Sequence, residues 1–147
     1  MKIEEQVLSI YQMKHLQELG VDTSDASMYW KVFPTETGYY DYQVYHETNI
    51  QDDAELVFNK ITDNDDAEYI PTYTIGDLIN KLPKIIGNHR LLVDFDAEIA
   101  YYQDWFSDEV LNCIGEHGSK DRPITNALYN CLCWVSEKHK ELLEVKK

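Results

Sequence analysis

The sequence predicts an α+β fold, an antiparallel sheet of about four strands with the second and third helices packed on one face, in the order α-β-β-α-β-β-α. Three observations carry this. Helix-cap residues precede three apolar-periodic segments. Two pairs of aromatic and β-branched segments are each joined by a short turn. The 147 residues are 44% apolar, enough for one domain to bury roughly two thirds of the surface its unfolded chain exposes.

The elements follow in order. In "SIYQMKHLQELGVD", Ser9 and Gln12 have the spacing of a capping box. Ile10, Met13, Leu16 and Leu19 recur at helical spacing, and Gly20 then suits a left-handed stop with apolar Val21 after it. The spacing predicts a helix over about 10–19. "MYWKVF" (28–33) and "YYDYQVYH" (39–46), separated by "PTETG", predict an antiparallel hairpin. In its second strand Tyr40, Tyr42 and Val44 share one face, and Tyr39, Asp41, Gln43 and Tyr45 the other. The stretch from Glu47 to Glu68 holds eight acids and one Lys, half the net charge of the chain, and predicts a partly ordered acidic insertion at about 47–68 in an otherwise single domain over 1–147. Thr74 and Asp77 cap a second helix whose inner face is Leu78, Ile79 and Leu82, limited by Pro83. "HRLLVDF" (89–95) and "IAYYQDW" (99–105) read as strands with a tight "DAE" connection. "FSDEVLNCIGEHGSKD" reads mostly as loop, with room for a short helical turn. The last helix starts near Asp121, with Pro123 in its first turn and an apolar stripe of Ile124, Ala127, Leu128, Cys131, Leu132, Trp134 and Val135.

Charge bounds the function. There are 27 acids against 13 Lys and Arg, a formal net charge of −14. Such a chain repels phosphate backbones and anionic lipid, which excludes direct nucleic-acid or membrane-surface binding as the expected activity. No apolar run is long enough to span a bilayer. "MKIEEQVLSIYQ" has acids where a signal peptide has a basic region. Three cysteines make an odd number, unlike a secreted disulfide framework. The expected setting is cytoplasmic, as a monomer or small homo-oligomer.

The residues that look chemical are few. Cys131 and Cys133 stand two apart, about 200° around a helix, so they cannot share one zinc. Cys131 belongs to the stripe and Cys133 to its edge. Cys113 and His117 have ligand-like or nucleophile–base spacing, but nothing supplies an orienting third group or an oxyanion site. "GEHGSK" (115–120) has the wrong glycine spacing for a phosphate loop. Asp94, Asp96 and Glu98 alternate as strand ligands would, although a solvated hairpin connection explains them as well. "DNDDAE" (63–68) lacks the Gly and distal Glu of a calcium loop. No cofactor or metal is expected. The tyrosines put aromatics on both faces of predicted strands, either as sheet packing or as a binding platform of large contact area.

"LSIYQMKHLQELGVD", "MYWKV", "YTIGDLINKLPKII" and "NALYNCLCWVSEKH" together resemble small uncharacterised proteins encoded in phages, prophages and mobile elements of gut bacteria. In those proteins an ELGV-like helix end, a T-x-x-D-L-x-x-x-LP segment and an A-L-x-x-x-L-x-W helix come in this order. The resemblance implies an α+β fold and a mobile-element setting. It implies no catalytic residues, and the 47–68 stretch lies outside it. The resulting expectation is a non-enzymatic interaction module that meets a basic, nucleic-acid-handling protein through Asp52, Asp53, Asp63, Asp65 and Asp66, with Tyr39 and Tyr45 beside them. The competing class is a small metal-dependent or cysteine-based hydrolase.

Overall fold

The first helix forms where its caps place it. A computed structural model describes residues 6–32, 54–58, 67–107, 109–111 and 123–143. Helix α1 runs Ile10–Glu18. The Ser9 hydroxyl accepts from the Gln12 N–H at 3.1 Å, and the Gln12 side chain accepts from the Ser9 N–H at 3.0 Å. At its far end Gly20 takes φ 89°. The N–H groups of Gly20 and Val21 then reach the carbonyls of Gln17 and Leu16, both at 3.0 Å. That is the reciprocal pair of a left-handed helix stop, which spares two orphan carbonyls.

The chain divides into two compact units, residues 1–77 and 78–147. In the first, strands β1 (Met28–Val32), β2 (Ala54–Val57) and β3 (Glu68–Thr72) form an antiparallel sheet in the order β2-β1-β3. Met28, Trp30 and Val32 are buried and alternate with half-buried Tyr29 and Lys31, the pattern of a sheet with one face on a core. Helix α1 packs against β3. The core is tied by one carbonyl. Leu8 O accepts from Trp30 Nε1 at 2.9 Å and from Thr72 Oγ1 at 2.6 Å, while the Leu8 N–H donates to Tyr73 O at 3.0 Å. Buried polar groups are tolerated when they are bonded in this way.

The Tyr73 hydroxyl lies 2.6 Å from Asp25 Oδ1 and 2.9 Å from the Asp22 carbonyl. Burial, reinforced by the Asp25 carboxylate, pushes the Tyr73 phenol above its ordinary range. Asp77 Oδ2 accepts from the N–H of Thr74 at 3.0 Å and from the N–H and hydroxyl of Ser27 at 3.0 and 2.6 Å. The Asp77 N–H returns a bond to Thr74 Oγ1. This capping pair starts α2 (Ile75–Lys81), and the boundary between the units falls within that helix.

In the second unit, strands β4 (Ile85–Ile86), β5 (His89–Asp94), β6 (Ile99–Asp104) and β7 (Val110–Leu111) form an antiparallel sheet in that order. Helix α3 (Pro123–Lys138) packs on β6, and a 3-10 turn (Lys140–Leu143) follows it. Cys131 Sγ lies 3.3 Å from the Ala100 carbonyl, the Tyr102 and Trp134 rings are 5.9 Å apart, and the Tyr102 hydroxyl donates to Pro83 O at 2.8 Å. The Lys84 ammonium donates to the Ile79 and Leu82 carbonyls at the C-terminal end of α2, where the helix dipole favours a cation. Burial lowers the Lys84 pKa.

The architecture is α+β, with corrections in detail. One sheet of about four strands was expected, and there are two, of three and four strands. The third helix, α3, packs on a sheet as expected, and α1 packs on the other sheet. β1 was expected to pair with 39–46, which lies outside the described residues; its partners here are β2 and β3. Both take residues from the stretch read as an acidic insertion. Pro71 sits in β3 opposite Tyr29, which an edge strand permits because a missing N–H there costs no ladder bond. Val110–Leu111, read as loop, is β7. Cys133 was placed at the edge of the stripe, yet it is 0% exposed, as is Cys131. The reason is that α3 is buried on nearly every side, including Thr125, Asn126, Asn130 and Ser136, so its apolar stripe understates its buried surface. Among the described residues no helix is long and apolar enough to cross a membrane.

Candidate interaction surface

Side chains alternate between the two faces of a strand, and residues paired across antiparallel strands share a face. Tyr102 faces α3, since its ring lies 5.9 Å from that of Trp134, and buried Ala100, two residues before it, shares that face. Ile99, Tyr101 and Gln103 therefore occupy the opposite face. The register carries that face across the sheet. Ile85 pairs with Arg90, Arg90 with Gln103, and Gln103 with Val110, while Leu92 pairs with Tyr101 and Asp94 with Ile99. Ile85, Arg90 and Val110 are exposed, and Leu92, Ile99 and Tyr101 are half-buried. One face of this sheet thus holds a helix, and the other presents an aliphatic and aromatic row.

The row ends in an exposed aromatic pair. Trp105 is 52% and Phe106 93% exposed. The Arg90 guanidinium lies 5.7 Å from the centre of the Trp105 ring, a stacking that holds the indole beside the row. The loop beneath is fastened at several points. The Asp104 N–H donates to Glu109 O at 2.9 Å, Trp105 N–H to Asn88 O at 3.2 Å, and Phe106 N–H to Asp104 Oδ1 at 2.8 Å. Ser107 Oγ accepts from the Glu109 N–H at 3.2 Å, and His89 Nε2 lies 3.4 Å from Glu109 Oε1. Phe106 is therefore held out by an ordered turn.

The other end of the same hairpin repeats the combination. Phe95, 57% exposed, sits between Asp94 and Asp96, with Glu98 after them. Asp94 Oδ1 accepts the N–H groups of Asp96 and Ala97, both at 3.0 Å, so this carboxylate shapes the turn. In the first unit Phe58 follows β2 and is 67% exposed, in the acidic stretch. Exposed aromatics beside carboxylates thus occur at both ends of the β5–β6 hairpin.

The residues singled out from sequence fare differently. Asp52, Asp53, Asp63, Asp65, Asp66, Tyr39 and Tyr45 lie outside the described residues, as do Cys113 and His117. Cys131 and Cys133 are both buried. Burial pushes the Cys133 thiol up to about 12, against the opposite pull of a Tyr129 hydrogen bond. A thiol kept protonated is a poor nucleophile. Among the described residues no group of three His, Cys, Asp or Glu side chains converges as a metal site. Trp105, Phe106 and Arg90 escaped the sequence reading because Trp105 closes a strand-like segment and Phe106 opens what reads as loop. The available signal was "DWFSDE", two large aromatics between acids. Comparison of the chain with protein-family models, with curated proteins and with solved structures finds no match, so the functional argument rests on sequence and geometry.

Proposed function

We propose that the protein is a non-enzymatic interaction module, of the phage or mobile-element type its sequence resembles, that engages a basic protein partner which itself handles nucleic acid. The observation that carries this reading is the pairing of exposed aromatics with carboxylates on a chain of net charge −14. Charge steers a basic partner and selects against acidic ones, and aromatic anchors provide the desolvated contact that charge alone lacks. The acids of the 47–68 stretch, with Tyr39 and Tyr45, extend the same chemistry.

The experiment is capture of host proteins on the immobilised chain, across a salt series. The captured partner should be basic, and its retention should fall steeply once the Debye length drops below about 8 Å. Neutralising Asp52, Asp53, Asp63, Asp65 and Asp66 together should weaken capture while leaving the circular-dichroism spectrum unchanged. Acidic or neutral partners, or salt-independent retention, would overturn the reading.

A further inference from the structure

The geometry points to an occupant for the face of the four-stranded sheet opposite α3: we infer that it is the docking surface for a basic amphipathic helix of the partner. This deepens the proposed function and rests on it. An antiparallel sheet with a helix on one face is already a two-layer core, so its other face is available to a partner. Four strands at about 4.8 Å spacing span roughly 14 Å, wide enough for an α-helix of about 10 Å diameter. Strand addition is the weaker fit, because the outer strands β4 and β7 are two residues each and offer a short ladder.

Charge selects the kind of helix. From Lys84 to Leu111 the sequence holds six carboxylates against Lys84 and Arg90. Neither cation stands alone, since Lys84 bonds the carbonyls after α2 and Arg90 stacks on Trp105. Asp94, Asp96 and Glu98 are exposed at one end of the β5–β6 hairpin and Glu109 at the other. A helix along the hairpin, with an apolar stripe on Ile99, Leu92, Tyr101 and Trp105, would carry its Lys and Arg toward both ends. A second copy of this chain fits poorly, because two bodies of charge −14 repel.

The test uses the full chain, isotopically labelled for amide and indole NMR. The probe is a synthetic peptide of about four helical turns with Leu at i, i+3, i+4 and i+7 and Lys elsewhere. One control keeps the Leu pattern with Glu for Lys, and a second keeps the Lys without Leu. The Leu/Lys peptide should shift β5, β6 and the Trp105 indole. The W105S/F106S pair should weaken it about 10-fold or more, the loss seen for aromatic anchors. Binding of the Leu/Glu peptide with equal strength would overturn the inference. So would shifts that avoid β5 and β6, or a double variant that binds as the parent does. In those last two cases the interaction reading survives with another surface. If neither Lys-containing peptide binds, both the surface and the interaction reading fall. The two side chains are exposed, so the variant should fold, and its unperturbed amide spectrum away from the loop checks this.

Discussion

Two tryptophans, one inside a strand and one just beyond the end of a strand, have opposite uses in this chain. Trp30, in the middle of β1, is 1% exposed and gives its indole N–H to the Leu8 carbonyl. Trp105, just after β6, is half exposed and rests its ring against Arg90. Around Leu8, Tyr73 and Asp77 the first unit turns aromatic and polar groups inward, while Tyr11 and Phe58 stay exposed. The second commits one sheet face to α3 and leaves the other with aromatics in solvent. The difference separates residues that hold the fold from residues free to meet a partner. It can be broken or sharpened by mutation, because the first kind should cost stability and the second should not.

The largest loss is expected at Trp30. Trp30→Ala removes a fully buried ring and leaves the Leu8 carbonyl to Thr72 alone, which should cost about 3–5 kcal/mol. Trp30→Phe keeps most of the packing and loses the hydrogen bond, about 0.5–1.5 kcal/mol. Urea unfolding measures both. A Trp30→Ala change of under about 1 kcal/mol would mean that β1 is not the centre of the first unit.

Much of this inward-facing structure was legible. The Ser9–Gln12 and Thr74–Asp77 caps, the Gly20 stop and the β5–β6 hairpin follow from local chemistry, which a short window of sequence contains. β2 and β3 were missed because their evidence is not local. "AELV" sits among acids, and Pro71 lowers the strand signal of "EYIPT". Both become strands by pairing with β1, to which the sequence gives no register. Cys133 was misjudged for a related reason. Helical periodicity finds the most apolar stripe, but it cannot see a helix that is covered on its polar side as well. The exposed row was illegible as a row, since Ile85, Arg90, Gln103 and Val110 are brought side by side only by three strand pairings.

The next effect belongs to α3. Cys131→Ser and Cys133→Ser each put a hydroxyl at a fully buried position and should each cost about 1–3 kcal/mol. Near-equal losses are the expected outcome; a Cys133 change close to zero would return that residue to the surface. Cys133 also carries a pH signature. Its thiol rises from 9.0 to about 12 on burial, so the folded chain keeps a proton that the unfolded chain has released. That contribution to stability is fully present below the lower value and is lost as pH climbs toward the higher one. Tyr73 adds a loss of the same sign above its ordinary 10.0. Cys133→Ala should therefore flatten the alkaline decline of stability relative to the parent, and an unchanged slope would show that the thiol titrates normally.

A smaller effect, of opposite sign, sits in the β5–β6 turn. Glu98 is exposed and takes φ 58°, a left-handed conformation that favours glycine over a residue with a Cβ. Glu98→Gly should stabilise by about 0.5–1 kcal/mol, the relief being partly offset by the greater freedom of glycine in the unfolded chain. Thermal unfolding should show a higher midpoint, and a lower one would mean that the Glu98 side chain contributes more than its backbone costs.

The smallest effect is the most telling for the comparison. Phe106 is 93% exposed, so nearly all of its apolar surface already meets water and its removal leaves no cavity. Phe106→Ser should change stability by no more than about 0.5 kcal/mol, as surface substitutions do. Trp105→Ser gives up the ring beside Arg90 and should cost about 0.5–1 kcal/mol, the scale of an exposed cation–π contact. Both belong in the same urea series as Trp30→Ala. If Phe106→Ser instead costs as much as Trp30→Phe, the loop that carries it is part of the folded core. The contrast between the buried Trp30 and the exposed Trp105–Phe106 pair would then fail at its clearest point, since a side chain that stabilises the fold is not spare surface for a partner.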